Sequence, residues 1–91
     1  MIKPVNVKPM DNYLLEVMFS NAEKKIFDLK PYFSMKFYKP LQSEILFKQV
    51  YVGEYTVEWA NGCDIAPHEL YDNGYSISPH AKAIATIDSP L

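Results

Sequence analysis

Val57-Glu58-Trp59-Ala60-Asn61-Gly62-Cys63-Asp64-Ile65-Ala66-Pro67-His68-Glu69-Leu70-Tyr71 is the segment whose reading decides the fold. Val57 and Trp59 alternate with Glu58, the period of a half-buried strand. Asn61-Gly62 is a tight-turn pair, and its reading is a type I′ turn because both residues tolerate positive φ. Cys63-Asp64-Ile65 is then placed to pair back briefly on that strand. Pro67 presets the φ of a first helical residue. Leu70 and Tyr71 fall inside the helix, which stops near Gly74. Strand, turn, short strand and helix in fifteen residues are α+β grammar. Trp59, Asn61, Gly62, Asp64, Pro67, Leu70 and Tyr71 form its structural signature.

The same grammar extends toward the N-terminus. Ile2 to Lys8 is a β-rich run bounded by Pro4 and Pro9, which suits an edge strand. After the Asp11-Asn12 turn signal, Tyr13 to Phe19 is the strongest strand of the first half. Tyr13, Leu15, Val17 and Phe19 point to one face, and Leu14, Glu16 and Met18 to the other. Ser20 to Glu23 turns the chain, and Lys24 to Leu29 returns it as a third strand. Pro31 opens one or two helical turns over Tyr32 to Phe37, limited by Pro40. Leu41 anchors the exit, and residues 42–45 read as a loop or a single turn. Leu46 to Val52 reads as a fourth strand, Gly53-Glu54 as a tight turn, and Tyr55 to Trp59 as a fifth.

The expected architecture is a small antiparallel sheet of about five strands, in two hairpins or a meander, with two short helices. It occupies residues 1–75 as one compact domain. Residues 76–91 are expected to form a C-terminal tail or a short helix capped at Ser78-Pro79. Asp28-Leu29-Lys30-Pro31 and Asp64-Ile65-Ala66-Pro67 repeat one pattern, a carboxylate and an aliphatic residue before a helix-opening proline. That repeat is recurrent strand-to-helix grammar.

Composition bounds the function. A 91-residue chain buries roughly 60–65% of its unfolded surface, enough for one modest core. With 48% hydrophobic and 14% aromatic residues the chain is not disordered throughout, and most of its rings must fill that core. Formal charge is −2, and all nine basic residues are lysines. Arginine is the preferred fork for phosphate and guanine, so an acidic arginine-free domain is not expected to grip nucleic acid directly. No apolar run reaches the ~20 residues of a membrane span, and no apolar signal core follows Met1. Cys63 is the single cysteine, so no internal disulfide forms. A cytoplasmic location is the expectation.

Candidate chemistry is sparse. Cys63, Asp64, His68 and Glu69 are the one local cluster of metal-ligand types. One Cys and one His separated by Pro67 fall short of a zinc set, and no metal or other cofactor is expected. Cys63 with His68 or His80 lacks the third, orienting group that nucleophilic catalysis needs. Asp28 and Asp64 read as helix-start carboxylates rather than an acid–base pair. Trp59 reads as core rather than a stacking platform. Lys24, Lys25, Lys30, Lys36 and Lys39, interleaved with aromatics, read as solvated lysines on an amphipathic segment rather than a single-strand nucleic-acid groove. No catalytic, cofactor or metal residue is assigned.

The chain resembles the mostly bacterial family known as domain of unknown function 2442. The resemblance rests on Phe19-x-Asn21, Phe27-Asp28-Leu29-x-Pro31, Leu41, Phe47-x-x-Val50 and above all Val57-x-Trp59-x-Asn61-Gly62-x-Asp64-Ile65-Ala66-Pro67-x-x-Leu70-Tyr71. It covers roughly residues 2–75. Ala22 stands where the family often has glycine, and Ala60 where proline often precedes the turn. The resemblance implies an α+β fold without established catalysis. It also implies a gene neighbourhood like that of a toxin–antitoxin pair, and longer relatives with a helix-turn-helix domain that this chain is expected to lack.

The functional expectation is a non-catalytic protein–protein interaction module, antitoxin-like or regulatory, that binds a neighbouring small protein or forms a homo-oligomer. No membrane partner is expected. Tyr32, Phe33, Phe37 and Tyr38 are the candidate partner-binding residues, with edge-strand pairing or aromatic docking as the mechanism. The alternatives are a fragment of a nucleic-acid-associated transcriptional regulator and a small ligand-binding protein.

Overall fold

Alternation within residues 14–19 sets the first layer. Leu15, Val17 and Phe19 are 1% exposed or less, whereas Leu14, Glu16 and Met18 are half-buried. The computed structural model describes residues 1–77. A helix at Ser78-Pro79 lies outside the described residues. The boundary expected at residue 75 falls inside a strand, β7 (Tyr75–Ile77).

Strands β1 (Pro4–Met10), β2 (Leu14–Phe19) and β3 (Lys24–Asp28) form an antiparallel meander, and β7 adds to the outside of β3 in the order β1-β2-β3-β7. A second sheet of three short strands, β4 (Tyr51–Val52), β5 (Val57–Glu58) and β6 (Asp64–Ile65), packs with β4 against β1. Helices α1 (Glu44–Phe47) and α2 (Pro67–Asn73) and 3₁₀ turns over Lys30–Ser34 and Lys36–Gln42 close the core. The class is α+β, as the sequence implies. Leu15, Val17, Phe19, Phe27, Leu29, Leu41, Phe47, Val57, Trp59, Cys63, Ile65 and Leu70 make one continuous core. Each large side chain buried there contributes roughly 1.5–3 kcal/mol.

Leu46 to Val52 is not one strand, because Ser43 Oγ accepts the Leu46 N–H at 3.3 Å and starts α1, leaving only Tyr51–Val52 extended. Pro40 does not limit the second 3₁₀ stretch. It supplies a carbonyl to Ser43 N and needs no donor of its own there. The fifth strand begins at Val57 rather than Tyr55, since the Gly53 N–H to Thr56 carbonyl bond closes a turn before it. Tyr13 leaves its strand altogether. Asn12 and Tyr13 both take left-handed backbone, at φ 63° and 61°. The Tyr13 ring is held edge-on to Phe33 at 4.9 Å and to Phe47 at 5.3 Å. Packing of that kind sustains a conformation that costs about 1–2 kcal/mol.

The Asn61-Gly62 turn is tight but not type I′. Only Gly62 has positive φ, at 93°, and the Trp59 N–H reaches the Cys63 carbonyl at 2.9 Å across a three-residue loop. Asn61 Oδ1 accepts the Cys63 N–H at 3.1 Å and fixes that loop. The β2–β3 connection repeats it atom for atom. Phe19 N–H reaches the Glu23 carbonyl at 2.8 Å, Asn21 Oδ1 accepts the Glu23 N–H at 3.0 Å, and Ala22 occupies the positive-φ position at 71°. Alanine there carries left-handed strain that glycine does not. Ala22→Gly is therefore expected to stabilise the domain by about 0.5–1 kcal/mol after the extra chain entropy of glycine is subtracted. Thermal unfolding followed by circular dichroism should show a rise of a few degrees.

Candidate functional site

The outer face of the four-stranded sheet consists of the residues that the core leaves over. Between the buried positions of β2 and β3 stand Leu14, Glu16, Met18, Lys24, Ile26 and Asp28. Strand register arranges this face in three rows. Met10, Leu14 and Asp28 make the first; Lys8, Glu16, Ile26 and Tyr75 the second; Asn6, Met18 and Lys24 the third. Met10, Leu14, Met18 and Ile26 are half-buried by their neighbours, yet none belongs to the core or packs against it. Tyr75 is 71% exposed.

The described helices lie on the opposite side. Phe47 of α1, Leu70 of α2 and Leu41 of the 3₁₀ stretch all enter the core. A strand apolar on both faces ordinarily sits between two layers. Among the described residues β2 and β3 have only one. The charges on the outer face are balanced, with Lys8 and Lys24 against Glu16 and Asp28. Lys24 Nζ lies 3.5 Å from Glu16 Oε1. Asp28 Oδ1 is 3.0 Å from Lys30 Nζ and accepts the Lys30 N–H at 3.0 Å.

The four aromatic residues singled out from the sequence have a different disposition. Tyr32, Phe33 and Tyr38 are half-buried and pack against the core. The Tyr32 ring lies 5.3 Å from Phe27 and 5.6 Å from Tyr38, and its hydroxyl donates to Glu69 Oε2 at 2.5 Å. Tyr38 donates to the Asp64 carbonyl at 3.0 Å. Phe37 alone among the four is mainly exposed, at 55%, next to Met35 at 53%.

Burial, reinforced by the Glu69 hydrogen bond, pushes the Tyr32 phenol up to about 12. An unfolded tyrosine ionises near ~10, so above that pH the unfolded chain sheds a proton that the native chain keeps. The stabilisation is complete below pH ~10 and drains away between there and about 12. Urea midpoints measured across that window should fall, and Tyr32→Phe should flatten the fall. At the other end of the chain, the Tyr71 hydroxyl, donating to Glu23 Oε1 at 2.6 Å, holds the Glu23 carboxyl below its ordinary range.

The signature residues differ in their surroundings. Trp59 is 1% exposed and donates from Nε1 to the Phe47 carbonyl at 3.0 Å. Leu70 is fully buried, Pro67 stands in the first turn of α2, and Tyr71 ties that helix to Glu23. The Asp64 side chain is exposed. Cys63 is 3% exposed and directs Sγ to the Phe37 carbonyl at 3.2 Å, while His68 faces solvent. Among the described residues no three His, Cys, Asp or Glu side chains are grouped to hold a metal ion. No described helix is long and apolar enough to cross a membrane. A hollow of about 460 Å³ lies between Met1, Ile2, Tyr55, Pro67, His68, Tyr71 and Asp72, with a mostly apolar surface.

Alternation along β2 puts Leu14 and Met18 opposite the core face. The signal is in the sequence: Tyr13 to Phe19 is apolar at all but one position. Ile26 and Tyr75 join that face only through strand register.

The model of the family described as "Protein of unknown function (DUF2442)" matches residues 4–76. Neither a curated protein nor a solved structure matches the chain.

Proposed function

We propose a binding role for this chain, which belongs to the family described as Protein of unknown function (DUF2442). It is a non-catalytic protein–protein interaction module, a regulatory partner whose working surface is the outer face of the four-stranded sheet. The observation that carries this reading is the row pattern of Met10, Leu14, Met18 and Ile26. They are apolar side chains on central and edge strands that the core does not use. Apolar surface collected on one sheet face, with balanced charge set among it, suits a protein-binding patch. The free side of β7 extends the same surface, since β7 pairs only with β3 among the described residues.

Lys8 and Lys24 on this face supply amines for a direct test by cross-linking mass spectrometry in the native host. Cross-links from Lys8 and Lys24 into another chain, lost in an Ile26→Glu variant that still melts cooperatively, support the proposal. Intermolecular cross-links confined to Lys36, Lys39 and Lys48, away from the face, would overturn it.

A further inference from the structure

We propose that the layer covering the outer face is a second copy of this chain, packed sheet on sheet about a twofold axis that crosses the strands over the Glu16–Ile26 row. This rests on the reading of that face as a binding surface and adds the occupant and the register.

The argument is one of complementarity between rows. A twofold axis lying in the interface, perpendicular to the strands, sends the first row of one copy onto the third row of the other. Within each strand the partners are then fixed by the register. In β2, Leu14 of one protomer meets Met18 of the other, and both are apolar. In β3, Asp28 meets Lys24 of its partner, and the charges are opposite. The axial row brings Ile26 onto Ile26 and Tyr75 toward Tyr75. The Leu14–Met18 and Asp28–Lys24 contacts each occur twice and the axial contacts once, as a closed twofold interface requires. An axis along the strands instead would set Leu14 against Asp28 and leave a carboxylate facing an apolar side chain.

Two sheets stacked in this way lie about 10 Å apart with strands inclined by roughly 30°, a displacement that a lysine side chain spans. Glu16 and Lys8 each come near their own copy on the axis. Each protomer meets the Glu16 charge itself, with Lys24 Nζ at 3.5 Å and Lys8 beside it in the register. The balance of two lysines against two carboxylates also separates this face from one shaped for nucleic acid or an anionic lipid surface. Such a face would carry a single sign.

The test is sedimentation of the full chain, with variants that exchange the facing charges. Wild type is expected to dimerise at concentrations up to about 1 mM, where even a Kd in the hundreds of micromolar is visible. Lys24→Asp and Asp28→Lys should each weaken the dimer about tenfold by placing like charges together twice. Mixing the two single variants restores both Asp–Lys contacts, so native mass spectrometry should show the mixed dimer in preference to either homodimer. The double variant should recover part of the wild-type affinity, because the Asp–Lys contacts return while Glu16 loses its neighbour Lys24. Because the mixture contains the same two folded chains as the separate samples, its recovery cannot come from altered stability.

A dimer indifferent to these exchanges and to Ile26→Glu would place the contact elsewhere and overturn the proposal. A wild-type monomer throughout that range would also overturn it. In that case, Lys8 and Lys24 cross-links to a different protein would leave the binding-face reading standing. Their absence would remove both.

Discussion

Trp59→Ala is expected to remove most of the domain's stability. Trp59 is 1% exposed at the centre of the core, beside Phe47 at 6.4 Å between ring centroids. Truncating a buried tryptophan costs about 3–5 kcal/mol through lost burial and the cavity left behind. Its Nε1–H also donates to the Phe47 carbonyl at the end of α1, and losing that bond costs about 0.5–1.5 kcal/mol more, since the Val50 N–H still reaches the same oxygen at 3.3 Å. A domain of this length holds only about 5–10 kcal/mol in total. Urea unfolding followed by circular dichroism should show the loss of most or all of the native baseline. Trp59→Phe separates the two contributions: it keeps most of the apolar volume, forfeits the hydrogen bond and should remain folded at a lower midpoint.

Gly74→Ala is expected to destabilise the domain by about 2–3 kcal/mol, opposite in sign to the usual effect of replacing a loop glycine. Gly74 ends α2 with φ −82° and ψ 154°, a conformation any residue adopts. What it lacks is space. A Cβ there would lie 2.7 Å from the Leu70 carbonyl oxygen and 3.1 Å from Lys25 Cβ. The first of these is backbone and cannot swing aside. Lys25 is itself confined, 8% exposed, with Nζ 3.6 Å from the centre of the Tyr71 ring and donating to the Tyr71 carbonyl. The glycine allows α2 to turn into β7 while remaining against β3. A midpoint unchanged or raised in Gly74→Ala would show that the chain finds another path through this corner.

The hairpin from Val57 to Ile65 and the helix opened by Pro67 were legible because their causes are local. Alternation, a turn pair and a proline each act within a few residues. Helix α1 was not legible, although Ser43 stood at its cap. Leu46, Phe47 and Val50 suit a helix face as well as a buried strand, and a four-residue helix has too little period to decide between them. Left-handed Tyr13 has no local signal at all, since its conformation is imposed by Phe33 and Phe47 from elsewhere in the chain. β7 pairs with a strand some fifty residues earlier, and no local pattern announces such a partner. The candidate site divides the same way. Leu14 and Met18 could be assigned to a face from alternation, but Ile26, Lys24 and Asp28 take their places beside them only once the register is known.

The matched loops at Asn21 and Asn61 also bear on how the protein ages. An asparagine followed by glycine is prone to cyclise when the next backbone nitrogen attacks its side-chain amide, leaving an isomerised or deamidated linkage. In the folded chain that nitrogen, Gly62 N, is engaged with the Trp59 carbonyl at 3.0 Å, and the Asn61 side chain is held by the Cys63 N–H. Both must let go before the ring can close, so this damage accrues through opened molecules and slows as stability rises. At the other loop, Ala22 shields its nitrogen with a methyl group. Exchanging it for glycine relieves the backbone but installs a second Asn-Gly pair, trading conformational ease for chemical shelf life.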